Sequence, residues 1–242
     1  MPIFGALRKR RPAAPFCTAV VPAAGSSTRM EGQDKMLLEL GDRPVLVRTL
    51  QALEACNLIH EIVVVTREDL VVPVSRLCRD FGLEKVTKVV TGGATRTLSV
   101  LAGIRSASPE AELIAVHDGA RPFVTQELLE KVIRKAAECG AAAPAVPVTD
   151  TVKRAKDGVV EETLDREILF AIQTPQVFEA SLLKAALQKA AEDGVTLTDD
   201  CAAVERLGMR ISLTKGDRAN LKLTTSTDLD LGLGILMGRG EV

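Results

Sequence analysis

Short runs rich in β-branched residues alternate with longer stretches in which apolar side chains return every three or four positions. The runs at 18–22, 61–66, 88–91, 113–117 and 142–146 predict strands. The intervals at 44–55, 71–81, 97–106 and 126–139 predict helices. Within them Val45, Leu46, Leu50 and Leu53 share one helical face, as do Leu128, Leu129, Val132, Ile133 and Ala136. Strands that are apolar throughout and separated by helices imply a Rossmann-like α/β fold, a mostly parallel sheet covered by helices on both faces. In such sheets ligands sit beyond the carboxyl ends of the strands, at the loops that follow them.

The rhythm breaks after Val148. Residues 149–163 (TDTVKRAKDGVVEET) are polar, with two short β-like runs around Asp157-Gly158, a pair that favours a tight hairpin turn. Such a hairpin has little apolar surface to bring to a core and is expected to protrude as an arm over about 148–168. Helices return at 180–192, 199–207 and 227–237, and strands at 211–214 and 221–223 complete the pattern. The expected organisation is a basic extension (1–16), one domain (17–236) and a short tail (237–242).

Composition narrows what this fold does. Of 242 residues 46% are hydrophobic, enough for a proper core, and the net charge of −1 gives no basic field for nucleic acid or an anionic membrane. Aromatics make up only 2%, without Trp or Tyr, which counts against base-stacking platforms for single strands. Any bound anion must therefore be held by a local cluster. Cys17, Cys56, Cys78, Cys139 and Cys201 are scattered, with no C-x-x-C pair, and read as buried free thiols of a reducing cytoplasm. No apolar stretch reaches the length of a membrane span, and the opening MPIFGALRKRRPAAP lacks a signal-peptide core.

Three loops carry candidate chemistry. The first strand runs into Pro22-Ala23-Ala24-Gly25-Ser26-Ser27-Thr28-Arg29-Met30, with Lys35 close behind. Small residues after a strand let backbone N–H groups approach an anion, and Arg29 and Lys35 add mobile positive charge. The loop is neither a Walker A nor a dinucleotide glycine pattern. A second loop, Gly92-Gly93-Ala94-Thr95-Arg96 with Ser99 and Gly103 beyond, also opens a helix; its glycines permit close approach to a flat ligand, and Arg96 could brace it. Taken alone, it reads equally as a plain strand-to-helix turn. The third, His117-Asp118-Gly119-Ala120-Arg121-Pro122, places an acid at a strand end facing the first loop. One carboxylate there suits Mg²⁺, which takes one or two carboxylates plus phosphate oxygens. Arg121 can pair with Asp118 or with a substrate phosphate. His117 reads as a packed, hydrogen-bonded histidine. Thr198-Asp199-Asp200 reads as a helix cap, and Thr151, Arg166, Thr174 and Lys222 look by spacing like ordinary surface residues.

The runs VVPAAGSSTRM, DKMLLELGDRPVL, GGATRTLSVLAGI, VHDGARPF, VPVTDTVKR, TLDRE, QTPQVF, TLTDD and NLKLT, in this order, resemble the 2-C-methyl-D-erythritol 4-phosphate cytidylyltransferases of non-mevalonate isoprenoid synthesis. The first run by itself signals only the wider sugar-phosphate nucleotidyltransferases; the combination is much narrower. The resemblance implies a cytidylyltransferase acting on CTP and a polyol phosphate with Mg²⁺ or another divalent cation. Arg29 and Lys35 match the cations at the α-phosphate, and Arg166 and Lys222 match residues that position the acceptor. Ala23, Ala24, Gly25, Gly92, Gly93, Ser99, Asp118, Gly119, Arg121, Thr151, Thr174 and Thr198 match the remaining substrate site, with Asp118 the metal residue. The arm would cross to a second subunit of a homodimer, so that Arg166 completes the neighbour's site. Ala94 stands where many relatives carry an acid, Asp34 where Pro is common, and Asp200 where Glu is frequent. A ribitol 5-phosphate cytidylyltransferase shares the fold and first loop, although Lys153-Arg154 and Leu164-Asp165-Arg166 favour methylerythritol phosphate. An inactive nucleotide-binding regulatory module is the reading of a different class.

Overall fold

Each run predicted between 18 and 146 becomes a strand, and all but the edge strand at 88–91 are largely hidden from water within a sheet covered on both faces. A computed structural model describes residues 14–24 and 36–241 of the chain. Its first half comprises β1 (Cys17–Pro22), β2 (Glu39–Leu40), β3 (Arg43–Pro44), α1 (Val45–Glu54), β4 (Glu61–Thr66), α2 (Val71–Asp80), β5 (Val86–Thr91), α3 (Arg96–Ser106), β6 (Leu113–Val116) and α4 (Gln126–Cys139). The second half adds β7 (Ala141–Pro147), β8 (Lys153–Lys156), β9 (Val159–Thr163), β10 (Phe170–Ile172), β11 (Gln176–Glu179), α5 (Ala180–Glu192), α6 (Asp200–Glu205), β12 (Ser212–Lys215) and α7 (Ser226–Arg239). Among the described residues an eight-stranded sheet runs β10-β7-β11-β6-β1-β4-β5, with β12 also pairing with β7. β6, β1, β4 and β5 are mutually parallel.

Alternate residues of the strands serve opposite faces. Ala19, Val21, Ile62 and Val64 pack with Leu46 and Leu50 of α1, Val74 of α2 and Leu129 and Val132 of α4. Val20, Val65, Ile114 and Val116 pack on the other side, with Val100 and Leu101 of α3, Leu183 and Leu187 of α5 and Val204 of α6. Each such side chain contributes about 1.5–3 kcal/mol relative to leaving it exposed. A smaller cluster joins Leu236 of α7 to Leu40, Val45, Phe123 and Leu223. Among the described residues, no helix is long and apolar enough to cross a membrane.

The sheet departs from the sequence reading at two places. Residues 170–179 form two strands the pattern did not announce, both antiparallel to β7. Because β12 occupies the opposite edge of β7, β10 and β11 run one after the other along the same edge, and β11 is wedged between β7 and β6. The strand expected at 221–223 does not form. Leu223 N–H donates to the Ala120 carbonyl (2.9 Å), but the Leu221 N–H turns back to Ala219 (2.8 Å), so no ladder continues. The arm appears as expected: β8 and β9 make their own two-stranded sheet, every residue of it exposed. Asp157 and Gly158 adopt φ of 50° and 79°, the left-handed pair that a type I′ turn requires. Four cysteines are buried free thiols, whereas Cys139, expected to be buried, is exposed at the last position of α4.

Candidate active site

The parallel strands end at one edge, and three loops leaving them enclose a cleft of about 330 Å³. Pro22 and Ala24 follow β1, Gly93 to Arg96 follow β5, and Asp118 to Ala120 follow β6; Met36, Ser99 and Lys222 complete the lining. The loop after β1 is anchored where it leaves the sheet, by the Ala23 N–H bond to the Val65 carbonyl (2.7 Å). Gly25, Arg29 and Lys35 lie outside the described residues, as do residues 1–13 of the expected extension.

The Gly92-Gly93 loop is held by Ser99. Its hydroxyl accepts the Gly93 N–H (3.2 Å) and donates to the Thr95 carbonyl (3.0 Å). A methyl group at Gly93 would sit 2.4 Å from Leu98 Cβ, and one at Gly92 would sit 2.7 Å from Ser99 Oγ, so both positions need glycine for space. Thr95 caps α3 by accepting from Leu98 N–H.

At the floor of the cleft Asp118 is ringed by cations. Lys222 Nζ lies 3.0 Å from its carboxylate, Arg121 Nε 3.2 Å and Arg96 Nη2 3.9 Å. Burial works against the charge, but Lys222, Arg121 and Arg96 together hold the Asp118 carboxyl down at about 2. The non-strand course of 221–223 now has a purpose: the Leu223–Ala120 bond sets Lys222 beside the β6 loop. Arg121 also donates to the Asn220 carbonyl (2.8 Å), tying the two loops again.

Thr174 is buried under this floor. Its hydroxyl accepts the Asp118 N–H (3.1 Å) and meets His117 Nδ1 (3.0 Å), so it shapes the loop from beneath rather than lining the cleft. His117, fully buried, bonds the Arg121 carbonyl through Nε2 (3.2 Å). Burial pushes its imidazole from 6.5 down to about 4, so it is neutral and structural, as the sequence suggested. The sign follows from that depression. As pH falls below 6.5 the unfolded chain takes the proton first, so the neutral imidazole's contribution is present above 6.5 and lost toward 4. Between pH 7 and 4 the loss is about 3 kcal/mol. His117→Gln should flatten the acid limb by about that amount in urea titrations run in metal-free buffer. An identical pH slope in the variant would mean that His117 does not titrate in this way.

Of the other residues singled out by sequence, Ala24, Gly93, Ser99, Asp118, Gly119 and Lys222 line the cleft, with Ala23, Gly92 and Arg121 adjoining it. Thr151, Arg166 and Thr198 are exposed and do not line it. Arg166 at the base of the arm donates to the Thr149 carbonyl (3.0 Å). Sequence reasoning missed the lining role of Met36, Thr95 and Ala120, which carry no distinctive chemistry. It also missed that Asp200, read as part of a cap, is a fully buried partner of Arg96 at 2.6 Å. Asp199 does the capping, accepting from Ala202 N–H (3.0 Å).

Among the described residues no three His, Cys, Asp or Glu side chains converge on a metal position. Among the described residues, side chains alone therefore do not make a cation site. One ionised carboxylate in a cleft fits Mg²⁺ that draws its other oxygens from ligand phosphates.

Known proteins share this sequence and fold. The family model described as 2-C-methyl-D-erythritol 4-phosphate cytidylyltransferase matches residues 17–237. The enzyme of that name from Halalkalibacterium halodurans is 40% identical over 220 residues, covering 90% of this chain and 96% of its own. The one from Bacillus velezensis is 43% identical over 212 residues, covering 87% and 91%. A solved 4-diphosphocytidyl-2C-methyl-D-erythritol synthase from Anaerococcus prevotii superposes with a TM-score of 0.83 at 31% identity, over 93% of this chain and 97% of that one. With sequence and fold both agreeing along nearly its whole length, the chain belongs to the 2-C-methyl-D-erythritol 4-phosphate cytidylyltransferase family.

Proposed function

We propose that the chain transfers the cytidylyl group of CTP to 2-C-methyl-D-erythritol 4-phosphate, yielding 4-diphosphocytidyl-2-C-methyl-D-erythritol and pyrophosphate. The observation that carries the reading is the cleft itself: a glycine loop braced by Ser99 on one wall and the Asp118–Lys222–Arg121 cluster on the floor. The wall suits a flat pyrimidine and the cations suit phosphates. A phosphate monoester is largely a dianion at neutral pH, with a second pKa of about 6, so it needs no general base. One of its oxygens attacks the α-phosphorus of CTP, the bond to the bridging oxygen breaks, and pyrophosphate leaves with that electron pair. The protein's task is in-line positioning and charge neutralisation. Arg29 and Lys35 do this at the α-phosphate, while Lys222 and Arg166 orient the acceptor. Ala24 and Gly25 offer backbone groups; Ala23, Gly92 and Gly93, whose N–H groups are taken by Val65, Thr66 and Ser99, shape the walls; and Thr151 and Thr198 complete the substrate site.

Asp118 is the residue that would hold a divalent cation, which when bound neutralises phosphate oxygens and polarises the reacting phosphoryl group. Residues 17–236 form the catalytic unit, and the arm over about 148–168 joins two such units in a homodimer. Free thiols suit a reducing cytoplasm.

The deciding assay offers CTP with methylerythritol phosphate or ribitol 5-phosphate and follows pyrophosphate. Release with the former supports the proposal; release with ribitol 5-phosphate alone replaces it, and none with either points to a binding module. Asp118→Asn should raise the Mg²⁺ concentration for half-maximal rate. An unchanged metal titration would leave the cation to the CTP phosphates and give Asp118 another role.

A further inference from the structure

Asp200 sits in the first turn of α6, yet that turn does not use its side chain. Asp199 caps it, and Gln176 Oε1 takes the N–H groups of Asp200 and Cys201 at 3.0 and 3.1 Å. Gln176 Nε2 in turn donates to Asp199 (2.8 Å). The Asp200 carboxylate is left to point inward, 0% exposed, with Oδ2 on Arg96 Nη2 at 2.6 Å and Oδ1 without a partner among the described residues. Burial pushes its carboxyl up, against the pull of Arg96. A buried, half-satisfied carboxylate is costly, and removing either member of such a pair leaves a buried charge. The local helix gains at most a dipole interaction from it, since Asp199 supplies the cap.

Arg96 is the other half of the account. It is the first residue of α3, directly after the glycine loop, and its side chain forms part of the cleft wall. Its Nη2 also lies 3.9 Å from Asp118 Oδ1. One guanidinium thus stands between two carboxylates and is held by the nearer. Without Asp200, Asp118 is the carboxylate already within ion-pair reach, and a guanidinium drawn onto it would cross the floor where phosphates are to sit.

We infer that Asp200 is a positioning residue for the nucleotide: it pins Arg96 to the cleft wall, keeping the glycine loop braced and the Asp118 floor open. This rests on the cytidylyltransferase reading above. Because its side chain is remote from solvent, Asp200 acts only through Arg96, and that gives the test its form. CTP dissociation constants are measured by calorimetry, with Mg²⁺ and without polyol phosphate, for wild type, Asp200→Asn, Arg96→Gln and the double variant. Thermal unfolding checks that each is folded.

Each single variant should bind CTP about tenfold more weakly, as expected for one charge-assisted hydrogen bond. The double variant should be no weaker than Arg96→Gln alone, because the two changes remove one interaction. Asp200→Glu, which keeps the charge, should recover part of the loss. If Asp200→Asn does not fold, Asp200→Ser replaces it, with KM for CTP raised and kcat largely kept. Unshifted CTP binding in the Asn variant, an unshifted KM in the Ser variant, or losses that add in the double variant would overturn the inference. Wild-type protein that binds no CTP would instead overturn the reading beneath it.

Discussion

Lys35→Ala lowers kcat by about two orders of magnitude or more, the usual effect of removing a donor that serves the transition state. Lys35 is bonded to Met36, which lines the cleft, and Met36 is fixed by the bond from Leu46 N–H to its carbonyl (3.0 Å). On the other side of the same segment, Ala24 lines the cleft too. The segment that carries Arg29 and Lys35 is thus bounded at both ends by residues of the cleft lining. Attack at the α-phosphorus places new charge on its oxygens, and on the proposed reading a cation from this loop neutralises it beside those gathered on Asp118. Arg29→Ala should behave alike. In both variants kcat should fall more than CTP affinity, since the interaction strengthens as the bond breaks. Steady-state pyrophosphate release, beside an unchanged thermal midpoint, is the measurement. Near-normal turnover in either variant would remove that residue from the chemistry.

What the sequence disclosed follows from how local each signal is. The strand expected at 61–66 and the helix expected at 126–139 match β4 and α4 residue for residue. An unbroken apolar run fixes the first; the Thr125 cap and left-handed Gly140 fix the ends of the second. β10 and β11 were illegible because FAIQTPQVFE is short, broken by Pro175 and polar in the middle. Their partners β7 and β6 make them strands. The opposite error at 221–223 has the same root. Alternating leucines look like a strand, but Leu223 packs on Leu236 of α7 and the segment lacks a neighbour for its ladder. In the site, loops at strand ends were readable because glycines and charges cluster there in sequence. The pairing of Arg96 with Asp200 spans 104 positions and leaves no local trace, and a capping role explained Asp200 well enough to hide it.

An Arg166→Ala subunit mixed with a Lys35→Ala subunit, each nearly inactive alone, should regain about a quarter of wild-type activity. The motive is the arm. A two-stranded hairpin is marginal in water by itself, and this one leaves Val159 and Val160 uncovered. At its base Ile168 (74% exposed), Phe170 (45%) and Ile172 share one surface depression with Met209 and Leu213 of the main domain. A contiguous exposed apolar patch of this kind marks an interface, and a two-fold partner is the commonest way to cover it. Arg166 stands in the same segment, exposed and outside the cleft lining of its own chain. If the arm is exchanged, random mixing makes about half of the dimers mixed, and each mixed dimer gathers both lesions in one site and leaves the other intact. Half of half the sites, about a quarter, then work, provided the two lesions are independent. Subunit exchange is verified separately by mass spectrometry of tagged chains. Exchange without recovered activity would place Arg166 in its own chain's site and leave the arm without a role in the neighbour's chemistry.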